Sequence, residues 1–154
     1  MKSEKALAIF NVLGVISLIA IPVYFYADLP DQVPIHFNFK GEPDNWSGKK
    51  MVFFMPLIGT FLCGLLYYLK DKPDLYNYPV PVTEENKAQL FEIGKQMILV
   101  LNVLIVLLFN YINFVSIKTG LSDQAGLHPY FGFIFLGFFL VFMGYYIWRF
   151  KQVK

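Results

Sequence analysis

The sequence predicts an all-α integral membrane protein with four transmembrane helices and both termini in the cytoplasm. A short extended or β segment is expected in the first extracellular loop, and the third helix is expected to extend into the cytoplasm. Hydrophobic residues fill 56% of the 154 positions and charged residues 16%, against roughly 45–50% and about 25% in soluble domains. Four stretches, 6–27, 51–69, 96–117 and 129–148, contain no Asp, Glu, Lys, Arg or His. Each has the roughly 20 residues that a hydrocarbon core of about 30 Å requires.

The first helix is predicted over about 6–27 and the second over about 51–69. The apolar part of the first is longer than that of a signal peptide, and its exit, IAIPVYFYADLP, has no small-x-small cleavage site. We therefore expect this helix to remain as a membrane anchor.

The third helix is predicted over about 84–117 and the fourth over about 129–150. Prolines 73, 79 and 81 prevent a continuous helix in the preceding loop. Thr83 is the expected N-cap, with Glu84 and Glu85 in the first turn, where the helix dipole favours anions. A helix of about 33 residues is roughly 50 Å long, more than the bilayer needs. We treat residues 1–154 as a single membrane domain.

The basic residues predict the orientation. Nine lie in segments that are cytoplasmic if the amino terminus is inside, and four lie in the opposite segments, which favours cytoplasmic termini. The inner set is Lys2, Lys5, Lys70, Lys72, Lys87, Lys95, Arg149, Lys151 and Lys154, and the outer set is Lys40, Lys49, Lys50 and Lys118.

Three asparagines form one polar stripe on the third helix. Asn102 and Asn113 differ by about 20° around the helix axis, and Asn110 falls within about 80° of both. Such side chains turn inward in lipid and bond to neighbouring helices. The alternative is that the stripe lines a polar cavity. Small residues at Thr60 and Gly64, and at Gly137 and Gly144, are further expected helix-packing positions.

Several function classes are excluded or disfavoured. The net charge of +2 comes from scattered basic residues, so the electrostatic footprint of a nucleic-acid-binding protein is missing. No ionisable residue lies within the four stretches, whereas proton relays and many ion-coupled carriers place such residues there. The single cysteine, Cys63, cannot form an internal disulfide. No cofactor is expected.

The segment 28–50 is predicted to form an ordered extracellular cap. Residues 33–40, VPIHFNFK, alternate apolar and polar side chains with the period of two of a half-buried strand. Pro34 cannot donate to a β ladder, so the strand should lie at an edge. The following KGEPD should form a turn, in which Gly41 is free to adopt a positive φ.

His36, Asn38, Gly41 and Asp44 are the candidate ligand-binding residues of this cap, and three interpretations compete. His36 could simply hold the loop against the helix ends. The cap could bind an extracellular peptide through its strand edge and these side chains. His36, Asp44 and His128 could instead form a metal or hydrolytic centre, although no motif of a metalloenzyme or hydrolase accompanies them and no metal site is predicted.

The cap resembles a known family. The signature L-P-x-x-V-P-x-H-x-N-x-x-G-x-x-D is similar to that of an uncharacterised bacterial membrane domain, which forms the amino-terminal part of SdpI-like immunity proteins. Its structural positions here include Leu29, Pro30 and Pro34, and Trp46 follows the signature. SdpI-like proteins protect cells from a peptide toxin and signal its presence. They continue into a second membrane module, so we do not expect functions that depend on that module within these 154 residues.

The resemblance implies a multi-pass protein of the bacterial cytoplasmic (inner) membrane. Our first hypothesis is a non-enzymatic protein whose outer loop senses, binds or confers immunity to an extracellular peptide. The alternatives are a structural or transport subunit that packs against a partner membrane protein, and a metal-dependent enzyme at the outer face.

Overall fold

The computed structural model describes residues 2–122 and 126–153, with side chains from Glu4 onward. The chain forms α1 (Lys2–Phe25), β1 (Gln32–Phe37), β2 (Pro43–Gly48), a 3₁₀ helix (Lys49–Phe53), α2 (Phe54–Leu69), a second 3₁₀ helix (Pro73–Leu75), α3 (Lys87–Ser122) and α4 (Phe131–Lys151). By length and composition, four helical segments can cross a bilayer: Glu4–Phe25, Lys49–Leu69, Lys87–Ser122 and Phe131–Lys151. The chain is a multi-pass membrane protein, and the prediction of four long apolar helices with a short β segment is confirmed.

The start of α3 differs from the prediction by three residues. Thr83 Oγ1 accepts a hydrogen bond from the Asn86 N–H (3.3 Å), and Asn86 Oδ1 accepts one from the Thr83 N–H (2.8 Å). This reciprocal pair satisfies two donors that a helix start leaves without partners. The Lys87 N–H also donates to the Thr83 carbonyl (2.9 Å), as expected for an N-cap at Thr83. Glu84 and Glu85 lie in the turn between Thr83 and Lys87, and the regular helix begins at Lys87.

The end of α3 lies five residues beyond the predicted end because Gly120 does not stop the helix. A Cβ at Gly120 would lie 3.3 Å from Val33 Cγ1, which is tight for two carbon atoms. The glycine allows β1 to pack closely on α3. Likewise, α1 begins at Lys2 and α4 ends at Lys151, so both helices include polar residues beyond their apolar cores.

Small residues bring α1, α2 and α3 together, but they are not the predicted ones. A Cβ at Gly14 would lie 2.8 Å from Val106 Cγ1, and one at Gly59 would lie 2.6 Å from Leu18 Cδ2. Glycine therefore permits the close approach of these helices. Around Gly64, Gly137 and Gly144 the described residues place nothing within 4 Å of an added Cβ. The expected packing at these three glycines was wrong for contacts inside this chain.

The two ends of the bundle differ in character. At the hairpin end, which carries β1, β2 and residues 126–130, a core cluster comprises Leu29, Val33, Val52 and Ile117. At the terminal end, which carries the amino-terminal part of α1, the carboxy-terminal part of α4 and residues 70–86, α4 packs on α3 through a cluster of Leu90, Ile93, Phe142, Tyr146, Phe150 and Val153. Polar contacts across the terminal end join Lys95 to Glu4 (3.0 Å) and Arg149 to Gln96 (2.9 Å).

The segment that follows α2 also packs at the terminal end. Tyr76 donates a hydrogen bond to the Leu69 carbonyl (2.7 Å), and Tyr78 donates one to the Pro73 carbonyl (3.0 Å). A Cβ at Gly94 would lie 2.8 Å from Tyr76 Cδ2, so this glycine in α3 provides the space for the tyrosine ring. Burial and then the nearby charge on Asp71 raise the pKa of Tyr76 to about 12.

Candidate functional site

The cap at the hairpin end is a two-stranded antiparallel hairpin with an irregular register. The Cα partners include Pro34 with Trp46, His36 with Asn45, and Phe37 with Pro43, and the register shifts on both sides of His36. Ile35 is thus the extra residue in β1 and Asp44 the extra residue in β2. Such bulges redirect side chains and are frequent next to functional sites.

The strand prediction is confirmed, but the predicted alternation of burial is wrong. Val33 and Pro34 are both fully buried, Ile35 is 36% exposed and Phe39 is 96% exposed. Pro34 is buried because its carbonyl accepts a hydrogen bond from the Ser116 hydroxyl of α3, while Val33 packs at Gly120. The bulge at Ile35 then interrupts the period of two.

His36 and Asp44 form a direct pair. His36 Nδ1 lies 2.5 Å from Asp44 Oδ1, and the two side chains are 66% and 41% exposed. A carboxylate only accepts, so Nδ1 is the donor, and a neutral His36 ring presents Nε2 as an acceptor. An exposed pair of this kind contributes only about 0–1 kcal/mol to stability, so the need to fold does not explain the arrangement.

Asn38 organises the turn between the strands. Its Oδ1 accepts hydrogen bonds from the backbone N–H groups of Lys40 (2.8 Å) and Glu42 (3.1 Å), and its Nδ2 donates to Glu42 Oε2 (2.9 Å). The backbone N–H of Gly41 donates to the Asn38 carbonyl (2.9 Å). Gly41 has φ of +84°, which glycine adopts without strain. Asn38 and Gly41 therefore shape the site as well as line it.

The hairpin tip docks on the connection between α3 and α4. The backbone N–H of Leu127 donates to the Gly41 carbonyl (2.8 Å), and a Cβ at Gly126 would lie 2.1 Å from the same oxygen. This contact forms one side of an open cavity of about 390 Å³ between the tip and the start of α4. Its lining residues are His36, Phe37, Asn38, Phe39, Gly41, Leu127, His128, Phe131, Gly132, Phe133 and Leu136.

The cavity brings together three of the four candidate binding residues, and the fourth, Asp44, contacts His36. From the sequence, His128 is a candidate only for a metal or hydrolytic centre with His36 and Asp44. Its Nδ1 accepts a hydrogen bond from the Tyr130 N–H (3.3 Å), so a neutral His128 ring carries its proton on Nε2. The two histidines thus present one acceptor and one donor. Within residues 2–122 and 126–153, no group of three or more His, Cys, Asp or Glu side chains is arranged to hold a metal ion, so the metal hypothesis gains no support.

Of the predicted structural positions around the cap, Leu29 lies beneath it, whereas Pro30 and Trp46 are exposed. Leu29 is 4% exposed and belongs to the hairpin-end core, whereas Pro30 is exposed. Trp46 lies opposite Pro34 and is 40% exposed. The Leu29 carbonyl accepts a long hydrogen bond from Lys49 Nζ (3.5 Å), whose ammonium lies 5.2 Å from the Tyr26 ring centroid.

The polar stripe of α3 contacts the neighbouring helices. Asn102 Nδ2 donates to the Cys63 carbonyl of α2 (2.9 Å). Asn110 Nδ2 donates to the Gly14 carbonyl of α1 (2.9 Å), and its Oδ1 accepts from Ser17 (2.8 Å). Asn113 is 2% exposed and lines a separate cavity of about 110 Å³ beneath the hairpin.

Two polar residues of α1 also bond to α3 and were missed. Ser17 bonds Asn110, and Asn11, 4% exposed, donates to the Leu99 carbonyl (3.4 Å). The signal was present, since both lie in the uncharged stretch 6–27. Within the described part of the chain, Asn11 Oδ1, Thr60 Oγ1 and Asn102 Oδ1 are buried without a hydrogen-bond partner.

A multi-pass membrane protein with a hairpin cap over one end of its bundle is therefore the class that the fold defines. The family model described as Domain of unknown function (DUF1648) matches residues 13–60, which run from α1 through the hairpin into α2. Over 54 residues the chain is 33% identical to an uncharacterized protein of Archaeoglobus fulgidus, covering 35% of this chain and 30% of that protein. The match thus spans less than a third of the relative. No solved structure matches the chain.

Proposed function

We propose that this chain is a non-enzymatic membrane protein that binds an extracellular peptide in the cavity at the hairpin end. The observation that carries the proposal is the convergence of His36 and Asn38 from the hairpin with His128 from the α3–α4 connection on one cavity of about 390 Å³. A histidine acceptor and a histidine donor match the N–H and C=O groups of a peptide backbone. The aromatic residues Phe37, Phe131 and Phe133 provide apolar contacts for side chains.

The resemblance of the cap to SdpI-like immunity and signalling proteins supports a peptide as the ligand. In this proposal the bulge places Asp44 beside His36. The hydrogen bond from His36 Nδ1 to Asp44 orients the ring, so that Nε2 is available for the ligand. The protein belongs to the bacterial cytoplasmic membrane, and it acts in sensing of, or immunity to, the peptide.

A binding experiment tests the proposal. The full chain is reconstituted in nanodiscs and exposed to a random peptide library, and the retained peptides are identified by mass spectrometry. Loss of one hydrogen bond with about 0.5–1.5 kcal/mol of net value lowers affinity by up to about tenfold. His36→Ala and Asp44→Ala should therefore weaken retention of the selected peptides by about this factor. Asn45→Ala, an exposed neighbour outside the cavity lining, is the matched control.

Retention that is equal in His36→Ala, Asp44→Ala and Asn45→Ala would contradict the proposal. Helical content and thermal unfolding of each variant, measured by circular dichroism, separate loss of binding from loss of fold. The proposal is supported if the unaltered protein and Asn45→Ala retain the same class of peptide, and His36→Ala and Asp44→Ala retain it more weakly.

The orientation is tested separately. The proposal places the hairpin end outside the cell, with both termini in the cytoplasm, as the nine-to-four distribution of basic residues favours. Phe39 is 96% exposed at the hairpin tip, while Cys63 is buried. A membrane-impermeant maleimide should therefore label Phe39→Cys in spheroplasts from which the outer barriers have been removed. Labelling only after the membrane is opened would place the cap in the cytoplasm and overturn this part of the proposal.

A further inference from the structure

A groove between α1 and α2 leads from the terminal end of the bundle towards its middle. Its volume is about 270 Å³, and most of its wall is apolar. Ala8 and Ile16 of α1 and Gly64 and Tyr67 of α2 line it, and the polar residues Asn11, Thr60 and Asn102 lie at its base. The eight steps from Ala8 to Ile16 rise about 12 Å, which is close to the depth of one leaflet of a hydrocarbon core of roughly 30 Å. The groove is therefore long enough to hold most of one lipid acyl chain within a leaflet, against a wall that is mostly apolar.

A charged pocket adjoins the groove at the membrane boundary. This lysine pocket, of about 180 Å³, shares Ala8 and Tyr67 with the groove and is lined by Lys5 of α1, Lys70 at the end of α2 and Lys95 of α3. Three different helices thus place a lysine at the same level. Such convergence between transmembrane helices is typical of sites for anionic lipid headgroups.

The charges of the pocket leave room for one anion. Lys95 Nζ lies 3.0 Å from Glu4 Oε1 and 3.9 Å from Asp71 Oδ1, and Lys70 pairs with Asp71. Among the described side chains Lys5 makes no ion pair at 4.0 Å or less. Among the described side chains that line the pocket or form these pairs, three lysine ammonium groups and two carboxylates give a formal excess of one positive charge. A phosphodiester carries one negative charge and would balance it.

We infer that the groove and the lysine pocket together bind an anionic glycerophospholipid of the surrounding bilayer, with one acyl chain between α1 and α2 and the phosphate at Lys5 and Lys70. The site lies at the opposite end of the bundle from the peptide cavity, so it is independent of the proposed function. Gly64 is central to it, because the open space around Gly64 is the space that the chain fills. The glycine thus serves ligand packing rather than helix packing.

The test uses the full chain in nanodiscs made from phosphatidylcholine with a minor fraction of phosphatidylglycerol. Lipid retained after transfer to mild detergent is quantified by native mass spectrometry. A lysine near an anionic lipid headgroup strengthens binding by a factor of about five. Preference for phosphatidylglycerol over phosphatidylcholine should therefore fall about fivefold in Lys5→Gln and again in Lys5→Gln/Lys70→Gln. Lys118→Gln, an equal charge change at the hairpin end, should leave the preference unaltered.

A second variant tests the groove without changing any charge. Gly64→Leu fills the groove and should reduce retention of both lipids, whereas Gly137→Leu, on an equally open face of α4, should not. Equal retention of the two lipids by the unaltered protein would overturn the proposal. If millimolar inorganic phosphate displaced the lipid, and if Gly64→Leu retained as much lipid as the unaltered protein, the pocket would be a simple anion site. That result would also overturn the proposal. The lipid preference of the unaltered protein and its response to phosphate remain informative even if Lys5→Gln/Lys70→Gln fails to fold.

Discussion

Replacement of Gly41 by alanine should detach the hairpin tip from the α3–α4 connection. Two effects add, because Gly41 has φ of +84° and because a Cβ there would lie 2.0 Å from the Leu127 carbonyl oxygen. A left-handed backbone costs a residue with a Cβ roughly 1–2 kcal/mol. The clash is with backbone, so it also breaks the hydrogen bond from the Leu127 N–H to the Gly41 carbonyl, whose net contribution is about 1 kcal/mol.

The total of about 2–3 kcal/mol corresponds to a factor of roughly 30 to 150 in the local opening equilibrium. Hydrogen exchange followed by mass spectrometry should show this loss of protection in peptides that cover residues 38–46 and 126–131, while α1 and α3 remain protected. Gly48→Ala is the matched control, since Gly48 lies in the same hairpin with open space around it. The same protection in Gly41→Ala and Gly48→Ala would refute the docking of the tip.

Three further predictions concern the rest of the bundle. Gly94→Ala should destabilise the protein by about 1–3 kcal/mol because it overpacks the ring of Tyr76, and thermal unfolding in detergent should show this against Gly137→Ala, which has open space. The pKa of Tyr76 is raised to about 12, so burial of its protonated form contributes stability at moderate pH. This contribution should be lost as the pH rises from 10 towards 12. In an absorbance titration, Tyr76→Phe should lack one of the phenols that ionise late in the unaltered protein. Asn102→Ala should lower the free energy of unfolding by about 0.6–2 kcal/mol, because it removes a hydrogen bond to α2. Thr60→Val should be neutral or stabilising, because the Thr60 hydroxyl has no partner among the described residues. A larger loss of stability in Thr60→Val than in Asn102→Ala would contradict this order.

The helices and the strand could be predicted because their signals are local. Uncharged stretches of bilayer length mark the spans, and the alternation around His36 marks the strand. The packing could not be predicted in the same way. Gly120 has the local signal of a helix end, and only its contact with Val33 shows why α3 continues past it.

The candidate site was predictable only in part for the same reason. His36 and Asn38 were identified because they share a face of the strand. His128 lines the cavity because the Leu127 N–H bonds to the Gly41 carbonyl. The two residues are distant in the sequence, and no periodicity in either segment predicts this contact. Asn11 can be recognised from the sequence as a polar residue in the uncharged stretch 6–27. Its hydrogen-bond partner, the Leu99 carbonyl, cannot be predicted, because it depends on how α1 packs against α3.

The two irregularities in the hairpin cancel each other. Ile35 is supernumerary in one strand and Asp44 in the other, so the pairing of Phe37 with Pro43 is back in step with that of Pro34 with Trp46. Deletion of either residue alone would put the strands out of phase by one position and turn the tip over, since successive side chains point to opposite faces. Simultaneous deletion of both would restore the pairing and produce an uninterrupted ladder, in which His36 has no carboxylate beside it.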